Sequence, residues 1–423
     1  MNVIFLTMSR LTGITQRHIY TDLLRKFRDE GHQVYIVTPH ERYLGKPTEL
    51  IKRDGVYMLG VKTLNLQKTS LIEKGVGQVL VEGQYKKAII KYLANIKFEL
   101  ILYSTPPITF PKVISFLKKR NPKAKTYLLL KDIFPQNAVD IGMMTGKPVQ
   151  GSRFKVQGWI ARGQYLLYKS FRKKEKQLYK VSDWIGCMSP ANVEYVLKHN
   201  PEITPNQVEV APNSIELLAE LPPSEERAKQ STERNYVRSK YGLPLNKPIF
   251  IYGGNLGKPQ GIPFLINCLN ANANRGDCYF VVIGTGTELP KLKQWFSEKR
   301  PISVKVMDGL PKDEYDLFVR GCDVGMIFLD HRFTIPNYPS RLLSYLENKM
   351  PVICATDPNT DIGRIAEENG YGYWCESNSV EAFTVMLDKM IHSDLKTMGE
   401  KGYQFLKDNY QVENTYNTII SHV

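Results

Sequence analysis

Twice along this chain, short apolar runs alternate with stretches that carry apolar residues at helical spacing, and that pattern leaves few folds open. The first series holds "NVIFLT", "QVYIVTP", "FELILYS" and "KTYLLLKD", with a helical pattern after the first that puts Ile19, Leu23, Leu24 and Phe27 on one face. The second holds "PIFIYGG", "CYFVVIG", "SVKVMDG", "DVGMIFL" and "MPVICA", each separated by a helix-length stretch. Alternation of this kind predicts a parallel sheet wrapped by helices. The expected fold class is therefore α/β, with two Rossmann-like doubly wound domains. Such sheets bind ligands beyond the carboxyl ends of their strands, and two facing crevices would make an inter-domain cleft.

A chain of 423 residues with 42% apolar content suits two domains. Between the two series lies "ELPPSEERAKQSTERNYVRSKYGLPLNKP", polar, Pro-bearing and charged. Residues 215–247 are read as a linker with some helix in it, between a first domain 1–214 and a second 248–405. A last helix, 406–423, is expected to pack back on the first domain. Net charge is +15 and uneven: residues 1–214 hold 34 Lys+Arg against 16 Asp+Glu, while the remainder is −3. The two halves thus do different electrostatic work. The six cysteines are scattered, with no C-x-x-C pair and no His partner at zinc-finger spacing. A reducing cytosolic compartment and no structural metal are expected. "MNVIFLT" lacks the marks of a signal peptide, and no apolar run reaches the ~18 residues needed to span a bilayer.

Two strand ends in the second series carry glycines at a strand-to-helix turn, "GGNLGKPQGI" and "GTGTELPKL", where backbone amides can approach an anion without Cβ interference. Glycines there can also serve only to make a tight turn, but the first of the two bears Lys258. Near the end, "NYPSRLLSYLENKMPVI" starts a short amphipathic helix with Pro339 at its expected first position, followed by Ser340 and Arg341. A cation in the first turn works against the helix dipole unless an anion sits there, which guanidinium can grip through two oxygens. Leu342, Leu343, Tyr345 and Leu346 read as core.

The order of "YGGNLGKPQGI", "VVIGTGTEL", "DGLPKDEYDLFVRGCDVGMIFL" and "PSRLLSYLENKMPVI" resembles the retaining glycosyltransferases of family 4, which have a GT-B fold. "DEGHQVYIVTP", "KDIFPQNAVDIG", "SDWIGCMSPA" and "VEVAPNSIE" in the first half are similar to markers of the same family. The likeness is greatest to a bacterial branch of N-acetylfucosamine-type transferases, which move N-acetylated or deoxy sugars in polysaccharide assembly.

The resemblance implies a metal-independent enzyme with no cofactor, using a nucleotide-sugar, taken as UDP-linked, and a saccharide acceptor. It implies that Lys258 and Arg341 neutralise the donor diphosphate, helped by Ser340, with Gly254, Asn255 and Gly257 shaping the turn beneath it. Gly284 and Gly286 would line the donor crevice, Gly309 and Leu310 would lie against the nucleobase, and Gly13 would face the donor across the cleft. Where many members carry two glutamates eight apart, this chain has Pro336 and Ser344. The ribose therefore falls to Ser344 or to Glu347. Asp132, at the end of a predicted strand, is the candidate for orienting the acceptor hydroxyl or the departing sugar. Capping the turn ahead of Pro135 is the alternative. Arg17 and His18 open the first helix near the same cleft and complete the catalytic candidates.

Residues 151–180 hold nine Lys+Arg and one Glu, interleaved with aromatic and aliphatic residues. Arg153, Lys155, Trp159, Arg162, Lys169, Arg172, Lys173 and Lys174 are read as facing an anionic membrane surface, where an interfacial helix sits between headgroups and acyl chains. A packed, solvated helix is the alternative. The expectation is a peripheral enzyme on the cytoplasmic face with a polyprenyl-diphosphate-linked acceptor. A nucleotide-sugar 2-epimerase would want more acidic and His groups than the chain offers, and a nucleic-acid-binding protein finds no helix-turn-helix, RNA-binding or zinc signature.

Overall fold

The structure is a computed structural model of the chain. It describes residues 1–66, 71–147, 155–218 and 222–423, without the side chains of 71, 72, 74–76, 155–160, 223, 224 and 226–229. The chain divides into two compact units, Met1–Glu216 with Gln411–Val423, and Leu217–Tyr410.

The first unit is built on an eight-stranded sheet. Its strands are β1 (Asn2–Leu6), β2 (Gln33–Glu41), β3 (Glu49–Arg53), β4 (Val56–Thr63), β5 (Leu100–Ser104), β6 (Lys125–Leu130), β7 (Trp184–Cys187) and β8 (Val208–Val210). They lie in the order β3-β4-β2-β1-β5-β6-β7-β8. All neighbours are parallel except β3, which runs antiparallel to β4 at the edge. The chain steps from β1 toward β4 on one side and resumes at β5 on the other, so the strand order switches between β1 and β5. β5 is buried along its whole length, as a strand covered on both faces must be. The helix Ile19–Asp29 buries Leu23, Leu24 and Phe27 against β1 and β2 in a core that also takes in Val412, Tyr416 and Ile419 of the final helix, Val412–Ile420. Each such side chain contributes about 1.5–3 kcal/mol by leaving water.

The second unit carries a six-stranded, fully parallel sheet: β9 (Ile249–Asn255), β10 (Tyr279–Thr285), β11 (Val304–Asp308), β12 (Val324–Phe328), β13 (Val352–Thr356) and β14 (Gly372–Glu376). The order β11-β10-β9-β12-β13-β14 is that of a doubly wound nucleotide-binding sheet, with its switch between β9 and β12. Phe250, Tyr252, Phe280, Val282, Met326 and Phe328 pack with Leu265 into one core on this sheet.

The boundaries differ from the sequence reading. Residues 217–247 belong to the second unit, where the helix Pro223–Lys240 buries Val237 and Arg238. Arg238 is fully buried and donates to the carbonyls of Gly321, Pro244, Leu245 and Lys247 while pairing with Asp323 at 2.5 Å. Position 406 falls inside the helix Leu395–Asn409, and the chain passes to the first unit only after Tyr410.

Candidate active site

In the second unit the carboxyl end of β9 is held by one tyrosine. Tyr345, in the seven-residue helix Arg341–Glu347, donates from its hydroxyl to the Ile251 carbonyl at 3.2 Å and accepts from the Gly253 amide at 3.1 Å. Arg341 lies one helical turn earlier on the same face. Its guanidinium sits 4.3 Å from the centre of the Tyr252 ring and 3.8 Å from where a Cβ on Gly254 would be. Gly254 has φ +117°, a conformation open to glycine and strained for other residues.

Arg341 forms no ion pair with any described residue, and its Nη1 is inaccessible to solvent with no hydrogen-bond partner. Burial works against its charge, but the surrounding phenols of Tyr252 and Tyr345 outweigh that, so its pKa lies above the ordinary arginine value. Burial pushes the phenols upward in turn, Tyr315 to about 12. They are neutral at pH 7, and the guanidinium has a cation–π platform but no counter-ion. The half-buried guanidinium thus keeps its charge with no carboxylate beside it, which makes it a candidate for holding an anion.

Around this point the ends of β9 and β10 and the turns that follow them pack too closely for side chains. A Cβ on Gly284 would lie 1.8 Å from the Gly254 carbonyl oxygen, and one on Gly286 2.2 Å from that of Leu256. Gly309 approaches the Thr285 methyl group, where a Cβ would stand at 2.9 Å; Leu310 beside it is half-buried. Asn255 Nδ2 and the Gly257 amide both donate to Gln260 Oε1, at 2.9 and 3.1 Å, closing the turn from which exposed Lys258 projects. Pro339 stands ahead of the helix, not at its first position, and exposed Ser340 occupies the N-cap without a side-chain hydrogen bond. Ser344 and Glu347 are both half-buried. Helical geometry sets Ser344 about 60° and Glu347 about 120° around the axis from Arg341, which brings Ser344 onto the arginine's flank.

Sequence reasoning missed the seam that closes the switch point. The Asp330 amide donates to the Pro259 carbonyl at 3.0 Å, and Gly261, at φ +58°, lies against Leu329 and Asp330. The Asp330 carboxylate takes two 2.8 Å bonds from Arg332, which hold its pKa below the ordinary value although burial alone would raise it. "LDHR", directly after an apolar strand, was the available signal.

In the first unit Asp132 follows β6, and its amide and that of Lys131 both donate to Thr105 Oγ1, at 3.1 and 2.9 Å. Burial pushes its carboxyl up to about 6 and the Lys131 ammonium down to about 7. The other candidates are occupied structurally. His18 caps the first helix, its Nδ1 accepting from the Tyr20 amide at 3.3 Å, and Arg17 donates to the Glu216 carbonyl. Gly13 is covered by Asp54, whose carboxylate accepts from the Ile14 amide at 2.9 Å and would lie 2.5 Å from a Cβ at Gly13.

Helix Lys155–Lys180 carries the basic candidates. Arg153 lies outside the described residues, and of Lys155 and Trp159 only the helical backbone is described. Arg162, Lys169 and Lys173 are exposed on one stripe with Leu166, and Leu167 adjoins it. Arg172 and Lys174 do not face outward: Arg172 binds Glu175, the His199 carbonyl and Asn200, and Lys174 pairs with Glu82 at 3.5 Å. Among the described residues no helix is long and apolar enough to cross a membrane, and no group of three or more His, Cys, Asp or Glu is placed to hold a metal ion.

Residues 233–405 match the family model described as glycosyl transferases group 1, and this stretch contains Lys258, Arg341 and the paired glycine turns. Sucrose-phosphate synthase from Thermosynechococcus elongatus superposes on 99% of this chain and 97% of its own, with a TM-score of 0.73 at 13% identity. The fold is GT-B. Anabaena HepE, solved in complex with UDP, matches 100% of this GT-B chain and 99% of its own at a TM-score of 0.66 and 13% identity. The probable glycosyltransferase WbjE of Pseudomonas aeruginosa is 25% identical over 164 residues, 39% of this chain and 41% of that protein. The aligned segment therefore spans less than half of that relative.

Proposed function

We propose that this chain is a retaining glycosyltransferase that transfers a sugar from a UDP-linked donor to a saccharide acceptor in bacterial surface polysaccharide assembly. The observation that carries the reading is Arg341: a cation with a buried, unbonded Nη1 and no carboxylate partner, beside a glycine turn at the switch point of a nucleotide-binding sheet. A diphosphate supplies the missing charge. As the sugar departs, negative charge grows on the β-phosphate, and Arg341 with Lys258 stabilises it from fixed positions. Ser344 is assigned to the ribose because it shares the arginine's flank. Asp132 orients the acceptor hydroxyl, and no resident cofactor is required. The glycosyl transferases group 1 match over 233–405 and the UDP complex of HepE support the donor class.

A ligand that binds only the folded state raises the melting temperature. UDP is expected to do so, and more than ADP or GDP; no shift with any nucleoside diphosphate would remove the reading. The exposed stripe of Arg162, Leu166, Lys169 and Lys173 supports a peripheral membrane position for an enzyme whose acceptor is polyprenyl-diphosphate-linked. Flotation with anionic liposomes at low salt is the expected result, lost on Leu166→Glu with Leu167→Glu; equal flotation of both proteins would contradict it.

A further inference from the structure

Phenols from both faces of the six-stranded sheet converge on Arg341. Strand alternation sends Phe250 and Tyr252 of β9 to one face, into the core that holds Phe328. Gly253 faces the other side, where the Tyr315 hydroxyl fills the space a Cβ would take, and Gly325 of β12 makes the same room for the Tyr345 ring. Tyr315 belongs to the helix Lys312–Val319. All three phenols favour the charged form of the one guanidinium. Tyr252 carries that charge on its ring, 4.3 Å from the ring centre.

Tyr252 is itself fixed from two sides. Its side chain is fully buried, and its ring meets the Phe328 ring edge-on, with centroids 6.1 Å apart and planes at 66°. Its hydroxyl donates to the Asn255 carbonyl at 2.8 Å. Asn255 Nδ2 is bonded in turn to Gln260, which also takes the Gly257 amide. One side chain therefore touches both the arginine and the turn that bears Lys258. Burial holds the phenol protonated well past neutral pH, so it brings no negative charge of its own.

A carboxylate in this place would also hold the guanidinium, but it would take the N–H groups that an incoming anion needs. An aromatic face attracts a cation through its quadrupole and does not neutralise it. That accounts for an Arg341 that is held close to its neighbours while Nη1 still lacks an acceptor. An aliphatic side chain would serve the core equally well at this position; only an aromatic one can also carry the cation.

We infer that Tyr252 is a positioning residue of the diphosphate seat, its ring holding the Arg341 guanidinium in place without neutralising it and its hydroxyl fixing the turn that bears Lys258. The inference deepens the glycosyltransferase reading and rests on its assignment of Arg341 to the donor diphosphate. Tyr252 touches no reacting atom. It keeps the cation charged and fixed, so that no reorganisation is needed when charge grows on the leaving group.

Ring shape and ring charge can be separated. Full chains carrying Tyr252→Phe, or a ring-trifluorinated phenylalanine at the same position, are titrated calorimetrically with UDP and with uridine, each with Arg341 and with Arg341→Ala. Tyr252→Phe keeps the aromatic face and is expected to cost about threefold in UDP affinity, the scale of one neutral hydrogen bond. Fluorine draws electron density off the face, so the trifluorinated chain is expected to bind UDP at least about fivefold more weakly than the Phe chain. Uridine should bind the two alike, and with Arg341→Ala the two should bind UDP alike as well. A packing role alone would produce no such difference, because the rings fill nearly the same space. The inference is overturned if the two rings give equal UDP affinity beside Arg341, if uridine weakens along with UDP, or if the loss persists without Arg341. An unaltered chain that binds no UDP, or one whose UDP affinity survives Arg341→Ala, would instead remove the diphosphate reading and the inference with it.

Discussion

The two units share a doubly wound sheet, yet the loops at their switch points have opposite character. After β9, glycines bring backbone close while Arg341 keeps its charge without a counter-ion and one N–H group without an acceptor. After β1, three polar groups are already engaged: Asp54 occupies the Ile14 amide, Arg17 the Glu216 carbonyl, and His18 the start of the first helix. The same architecture therefore leaves a cation without a counter-ion in one unit and holds Asp54, Arg17 and His18 in internal bonds in the other.

Substitution at the glycines should separate these loops most sharply. Gly284→Ala drives a methyl group into the Gly254 carbonyl, which is backbone and has nowhere to move. A loss of about 3 kcal/mol is expected, at the upper end for overpacking, read as a lowered denaturation midpoint. A midpoint matching the unaltered chain would mean that the ends of β9 and β10 are not held as close as described.

Next in size is Asp132→Asn. With its carboxyl pushed up to about 6 by burial, a working carboxylate makes kcat/KM rise as pH passes through about 6. The Asn variant should lose about a hundredfold in rate together with that limb. Because the folded value is raised, the stability this group contributes is present below about pH 4 and is lost as pH rises through about 6, and Asn removes that slope. An unchanged acid limb in the variant would assign it to another group.

Gly13→Ala should have the smallest effect, about 1 kcal/mol, because the obstructing group is the Asp54 side chain, which can turn aside at the cost of its bond to the Ile14 amide, and not backbone. A loss equal to that of Gly284→Ala would erase the distinction drawn between the loops.

Much of this was legible in the sequence where local pattern decides the outcome. The alternating apolar runs became β1, β2, β5 and β6 and then β9 to β13, and the structure sets Arg341 beside Gly254 of the turn "GGNLGKPQG". What escaped depends on partners distant in sequence. The polar stretch before β9 reads as a linker because its composition hides Arg238, which is buried only by virtue of Asp323 and carbonyls contributed from elsewhere in the unit. Asp54 spends the Gly13 loop from 40 residues away. Arg172 and Lys174 look like their exposed neighbours until Glu175, Asn200 and Glu82 take them inward. Pro339 lies one position ahead of the helical cap because the helix starts at Arg341.

The proposed function stands on Arg341 as the seat of a diphosphate. Calorimetric titration of the unaltered chain and of Arg341→Ala, each with UDP and with uridine, tests it directly. UDP is expected to bind the unaltered chain and to lose about a hundredfold in affinity in the variant, the scale of removing a buried charged partner. Uridine should bind both alike, and the ligand-free variant should melt no lower than its parent, since shedding a charge without a counter-ion offsets the lost contact with the Tyr252 ring. Equal UDP affinity in the two proteins would contradict the account.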